Sequence, residues 1–190
     1  MNRRNALKNM GMAMGYVVAT PTVISILQSC KREVQLAWTP AFFSAEEAKM
    51  IEGLSDLILP KTDTPGAKEL NIPMFIDSYI NEVSSVEDGE QAKVMASATL
   101  KELGGADASV EDYDALLSKY LKANDEEIKG YNEDEKLVSE FVTQIRSMSI
   151  WAFRTSEHIG ENVMAYDPIP GANIGCGSLE ELTGGKAWSL

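Results

Sequence analysis

The sequence predicts an all-α fold: a single-domain helical bundle of about five helices, closed by an irregular Gly/Pro-rich C-terminal tail. Three observations point there. Apolar residues recur at three- and four-residue intervals through most of the chain beyond residue 40. Capping residues stand where those runs begin, and no run alternates apolar with polar residues between hairpin turns. Apolar residues make up 44% of the 190 positions, enough for a packed core and too many for an acidic disordered chain.

The helices follow in order. Ser44 and Glu47 form a capping box that opens a helix carrying Met50, Ile51, Leu54, Leu57 and Ile58, and Pro60 ends it. The turn-rich loop from Pro60 to Ala67 leads into a second helix, Ile72 to Val83, with Pro73 in its first turn and Phe75, Ile76, Tyr79, Ile80 and Val83 as its apolar stripe. A third runs from Glu87 to Leu103 and stops at Gly104-Gly105, and a fourth from Val110 to Ala123 behind cap candidates at Asp107 to Ser109. The longest, Asn132 to His158, spreads Leu137, Val138, Phe141, Ile145, Met148, Ile150, Trp151 and Phe153 too widely for one exposed face. That predicts the central helix. Asp125-Glu126-Glu127 and Glu133-Asp134-Glu135 read as solvated helix beginnings that suit the dipole. From Asp167 to Leu190 the chain is rich in Gly and Pro, and its terminal Trp188 either folds back to plug the bundle or docks into a partner.

Residues 1–29 read as an address. Arg3 and Arg4, followed by Leu7 and Lys8, resemble a twin-arginine export signal, and the uncharged, weakly apolar run from Met10 to Leu27 follows as its h-region. Pro21 and the small polar residues make that run a poor membrane-spanning anchor. The run closes in Leu27-Gln28-Ser29-Cys30, similar to a lipobox, which predicts a diacylglyceryl group on Cys30; the other reading is an incidental thiol. Residues 30–40 are then a lipidated tether and 41–190 the folded domain. The expected location is exported, periplasmic or facing the outer membrane, and held by the lipid.

Charge excludes one class of partner. With 29 acidic against 17 basic side chains and a net charge of −12, the chain is unsuited to neutralising a phosphate backbone, so no nucleic-acid partner is expected. Attachment to anionic lipid should come from acyl chains and not from charge.

Catalytic and cofactor signatures are sparse. Gly171 to Gly177 matches neither dinucleotide nor P-loop spacing, no CxxCH haem motif is present, and His158, the one histidine, excludes multi-histidine metal sites. At the end of the long helix, His158 is expected to serve the C-terminal dipole or a cap. Cys176 is the one thiol left if Cys30 is acylated, and reads either as a buried inert thiol or as a bond to another chain. No catalytic, metal or cofactor residue is assigned.

Several segments carry a family resemblance. Phe42-Phe43-Ser44-Ala45-Glu46-Glu47, Ile58-Leu59-Pro60, Thr64-Pro65-Gly66-Ala67, Ile72-Pro73-Met74-Phe75-Ile76-Asp77, Tyr166-Asp167-Pro168, Gly175-Cys176-Gly177 and Trp188 together resemble gluconate 2-dehydrogenase subunit 3. The resemblance implies a non-catalytic small subunit that binds, stabilises and co-exports a large FAD-dependent dehydrogenase subunit of the glucose-methanol-choline type. FAD is expected in that partner and no cofactor in this chain, with a cytochrome c subunit as a further expected component. The Cys30 lipobox departs from a freely soluble complex. Pro65, Gly66, Tyr166, Asp167, Cys176 and Trp188 are the partner-binding candidates, because irregular Gly/Pro-rich segments with aromatics suit a partner better than a core. The alternative is a stand-alone periplasmic lipoprotein that binds a carbohydrate-like ligand between helices through Trp151, Trp188 and nearby carboxylates.

Overall fold

The computed structural model describes residues 36–169, 171–172 and 174–189. Arg3, Arg4 and Cys30 lie outside the described residues. The domain is all-α, with no strand among the described residues beyond one isolated bridge between Ala165 and Trp188. Its helices are α1 (Ala45–Ile58), α2 (Ile72–Val83), α3 (Val86–Glu102), α4 (Val110–Leu121), α5 (Asp125–Lys129), α6 (Glu133–Thr155) and α7 (Leu179–Thr183), with a π-helical turn at Ile159–Val163.

Local chemistry sets the boundaries. Capping boxes open α1 at Ser44, α4 at Ser109, α5 at Asn124, α6 at Asn132 and α7 at Ser178, each pairing a side-chain acceptor with a returning carboxylate. The acidic clusters at 125–127 and 133–135 are the first turns of α5 and α6, as their dipole fit predicts. Gly104 and Gly105 carry φ of 74° and 126° and end α3 in a conformation that L side chains rarely adopt. Asn71, at φ 54°, turns the chain left-handed just before α2, a position its short polar side chain tolerates.

α6 is the central helix. It packs on α1, α2, α3 and α4, and its Val138, Phe141, Val142 and Ile145 are fully buried. Facing them are Met50, Ile51 and Leu54 of α1, Ile72, Ile76 and Ile80 of α2, and Tyr113, Leu116 and Leu117 of α4. Within this core Ser149 of α6 meets Ser55 of α1 at 3.3 Å, so both polar atoms are satisfied where α1 and α6 pack closely.

Asp77 ties the chain's entry to α2. It is 1% exposed, yet its carboxylate accepts three consecutive backbone N–H groups: Ala41 at 2.7 Å, Phe43 at 2.9 Å, and Phe42 at 3.1 and 3.3 Å. Successive N–H groups that converge in this way form a concavity suited to an anion, filled here by the protein's own carboxylate. The clamp delivers Phe43 into the core, edge-on to Phe141 at 6.5 Å between ring centroids. Leu36 and Trp38, expected in the tether, pack against the core, and the compact unit starts at Leu36.

A polar hub joins α3, α4 and α6. Lys119 pairs with Glu102 at 3.0 Å and Glu135 at 3.1 Å, and Tyr120 donates its hydroxyl to Glu102 at 2.7 Å. Burial, with the neighbouring Glu102 carboxylate, pushes the Tyr120 phenol up to about 12, and the hydrogen bond to Tyr120 followed by the two carboxylates raises Lys119 as well. Both groups hold their protons more tightly folded than unfolded. Their contribution is therefore complete below pH 10 and is lost as the pH rises through the folded value. The melting temperature should fall between pH 10 and 12 more steeply for the native chain than for a Tyr120→Phe variant, as followed by circular dichroism.

Three boundaries differ from the periodic reading. α6 ends at Thr155, not His158, because Ser156 caps it by donating its hydroxyl to the Phe153 carbonyl at 2.7 Å. α3 starts at Val86, capped by Ser85, and α4 ends at Leu121. The short α5 and α7 add to the five long helices, and each has too few residues to show a period.

Candidate functional site

The loop from Pro60 to Ala67 is built around Gly66. A Cβ on Gly66 would lie 2.8 Å from the Lys61 backbone nitrogen and 3.1 Å from the Leu59 carbonyl oxygen, so only glycine lets the loop close on itself. Closure is held by Ala67 N–H donating to the Leu59 carbonyl at 2.9 Å, Thr62 N–H to the Thr64 carbonyl at 3.0 Å, and Gly66 N–H to the Glu69 carboxylate at 3.1 Å. Lys61 pairs with the same carboxylate, and this contact, followed by the Gly66 N–H, lowers Glu69 below the usual glutamate range. Gly66 is buried and Pro65 half-buried. Gly66 thus shapes the loop from within and offers a partner no surface of its own, while Pro65 keeps one exposed edge.

His158 meets this loop. With Lys61, Thr62, Asp63, Thr64 and Pro65 it lines an open cleft of about 480 Å³. It lies beyond the end of α6, exposed, and its carbonyl accepts from the Asn162 side chain at 3.1 Å, so the cap role expected of it belongs to Ser156. No group of three His, Cys, Asp or Glu among the described residues is placed to hold a metal ion.

The tail is a closed arm on the far side of the π-helical turn. Ala165 N–H donates to the Ala187 carbonyl at 2.8 Å and Ser189 N–H to the Ala165 carbonyl at 3.0 Å, fastening the two ends of the arm together. Between them α7 is capped by Ser178 and ended by Gly184 in the left-handed region, with φ 62°. Trp188 is 42% exposed and lies outside the core cluster, so it does not plug the bundle; the bridge to Ala165 is made by the Ala187 carbonyl and the Ser189 N–H on either side of it. Tyr166 and Asp167 are exposed on the same arm, as are Ile169 at 85%, Ile174 and Leu179. Cys176 is exposed and free, which overturns the buried-thiol reading.

A second surface was not anticipated. Phe75 and Tyr79 of α2 and Trp151 of α6 form an aromatic triad, with ring centroids 6.0 Å apart for Phe75–Tyr79, 5.3 Å for Phe75–Trp151 and 5.2 Å for Tyr79–Trp151. Phe75 and Tyr79 are stacked, Trp151 is tilted to Phe75 and edge-on to Tyr79, and stacked and edge-on pairs are both favoured aromatic geometries. Yet Phe75 is 37% and Trp151 45% exposed, with Met74 beside them at 41%. The signal was present in the width of the α2 stripe. Ile72, Ile76 and Ile80 fill the core contact, which leaves Phe75 and Tyr79 on a flank of their own. Trp151 and Trp188, paired in the ligand-binding alternative, belong to separate arrangements: no ring contact joins them among the described residues.

No helix among the described residues is long and apolar enough to cross a membrane. The fold and surfaces define a small helical domain without a metal cluster among the described residues and with apolar groups left on two faces. A family model, Gluconate 2-dehydrogenase subunit 3, matches residues 45–171, and the chain belongs to that family. The matched span contains Pro65, Gly66, Tyr166, Asp167 and the aromatic triad; the Phe42-Phe43 opening, Cys176 and Trp188 fall outside it. No curated protein and no solved structure matches the chain.

Proposed function

We propose that this chain is the non-catalytic accessory subunit that binds, stabilises and co-exports a large FAD-dependent dehydrogenase subunit of the glucose-methanol-choline type. Membership of the subunit 3 family is the observation that carries the reading. The exposed apolar side chains of the closed tail and of the aromatic triad support it, because contiguous apolar groups on a surface mark places where another protein sits. Substrate oxidation belongs to the partner, which supplies the flavin. This chain contributes a folded surface, an address and a tether.

Under this reading Arg3 and Arg4 direct the folded pair to the export machinery, and Cys30 holds the exported complex at a membrane through its lipid. A cytochrome c subunit is the expected further component, receiving electrons from the flavoprotein. A twin-arginine signal suits such a partnership, since that route carries proteins already folded around a cofactor.

Export provides the test. Replacing Arg3 and Arg4 by Lys should leave the large subunit and its dehydrogenase activity inside the cell, at least tenfold depleted from the exported fraction, although the large subunit itself is unaltered. Dehydrogenase activity that reaches the exported fraction undiminished would contradict co-export by this chain.

A further inference from the structure

The triad formed by Phe75, Tyr79 and Trp151 has the composition of an interface core and a rim that looks outward for charge. From Ile72 to Val86 the charged residues are Asp77, buried in its clamp, and Glu82, in a chain whose charged fraction is 24%. Aromatic and Met side chains with few charges distinguish the centre of a protein–protein contact from ordinary surface. Arg154 stands three residues beyond Trp151, hence beside it on α6, and is exposed. Lys49, Lys61, Lys68, Lys101, Lys119 and Lys136 each find a carboxylate, whereas Arg154 has none among the described residues, in common with Lys93, Lys122, Lys129, Arg146 and Lys186; of these it is Arg154 that stands one helical turn from Trp151. An arginine left unpaired in so acidic a molecule is available for a carboxylate on another chain.

We propose that Phe75, Tyr79 and Trp151, with Met74 at their edge and Arg154 on their rim, form the face on which the catalytic dehydrogenase subunit docks. The assignment rests on the accessory-subunit reading above. The occupant presents an apolar pocket for Trp151 and Phe75 and an acidic side chain opposite Arg154. An anionic lipid surface is a poor occupant, because the acid excess of the chain repels it. A second copy is disfavoured by the same repulsion. The triad lies within the span matched by the family, as a surface used for the family's shared partner should, whereas Cys176 and Trp188 in the tail do not.

The test uses the full chain purified from its native membrane, with bound flavoprotein measured as flavin absorbance per small subunit and thermal melting recorded in parallel. Trp151→Ala, the double variant Phe75→Ala with Trp151→Ala, and Arg154→Glu should each lose flavoprotein at least tenfold relative to the native chain. Arg154 stands in the last turn of α6, where its charge suits the helix dipole, so Arg154→Glu should melt slightly below the native chain but remain folded, and it decides the matter if the aromatic variants fold poorly. Native-level flavoprotein on Arg154→Glu and on a folded Trp151→Ala would overturn the docking face while leaving the accessory-subunit reading intact. Loss confined to Trp188→Ala would overturn it in favour of the tail. Self-association of the native chain that Trp151→Ala abolishes would overturn it in favour of a second copy. A native chain that carries no flavoprotein would remove both readings.

Discussion

Replacing Asp77 by Ala should destabilise the domain by about 3–5 kcal/mol. The Asp77 carboxylate satisfies the N–H groups of Ala41, Phe42 and Phe43 within 3.3 Å, and no other acceptor for them lies in the clamp. Each orphaned buried donor costs roughly 1–3 kcal/mol, and water admitted at the partly exposed end recovers some of that. The loss also spreads to packing, since the clamp holds Phe43 against Phe141 and Phe42 edge-on to Phe43 at 5.0 Å. Asp77→Asn keeps one acceptor oxygen and should lose about half as much. Urea unfolding would show the difference as a lower midpoint at unchanged slope. An Asp77→Ala midpoint indistinguishable from the native one would show that the clamp contributes nothing to stability.

Gly66→Ala should cost about 2–3 kcal/mol, an amount usual for forcing one extra carbon into a filled space. The atoms in the way are the backbone of Lys61 and Leu59, which cannot rotate aside as a side chain could. The loop must open, and opening it removes the hydrogen bond from Ala67 to Leu59 and the one from Gly66 to Glu69. For a domain of this size the shift corresponds to a fall of about 5–10 °C in melting temperature by calorimetry. Gly104→Ala is the natural comparison, because its Cβ would meet nothing within 4 Å and its cost comes from the positive φ alone. If Gly66→Ala melted with the native chain, the close approach at residue 66 would not be what closes the loop.

These two positions show how much of the molecule is legible in its sequence. Ser44, Ser109 and Asn132 mark helix starts because a cap is a local event, settled by residues three positions apart. The central place of α6 is legible in its length and in the wide spread of its apolar residues, of which Val138, Phe141 and Ile145 are fully buried. The long-range pairing of Asp77 with residues 41–43 has no local signature, for an acid within an apolar stripe reads the same whether it is exposed or clamped. Gly66 was recognised as part of a motif, but its role depends on Lys61 and Leu59 folding back over it. Trp151 reads from the sequence like one of the core residues of α6, but it packs against Phe75 and Tyr79 and stays 45% exposed. Trp188 is fixed by a backbone bridge to Ala165, a pairing that its side chain does not announce.

The candidate surfaces divide along the same line. Tyr166, Asp167, Cys176 and Trp188 were singled out for their irregular, Gly/Pro-rich setting, and the structure brings them onto one exposed arm. The aromatic triad was hidden because α2 and α6 each read as ordinary amphipathic helices. Only their packing places the three rings side by side.

The proposal that this chain is the small subunit of a flavin-dependent dehydrogenase is tested most directly by native mass spectrometry of the untagged protein isolated from its own cells in detergent. The account predicts one copy of this chain bound to one larger polypeptide whose mass includes FAD, in a sample with flavin absorbance. A chain that flies alone, colourless and without a flavoprotein at any detergent concentration that keeps it folded, would contradict it.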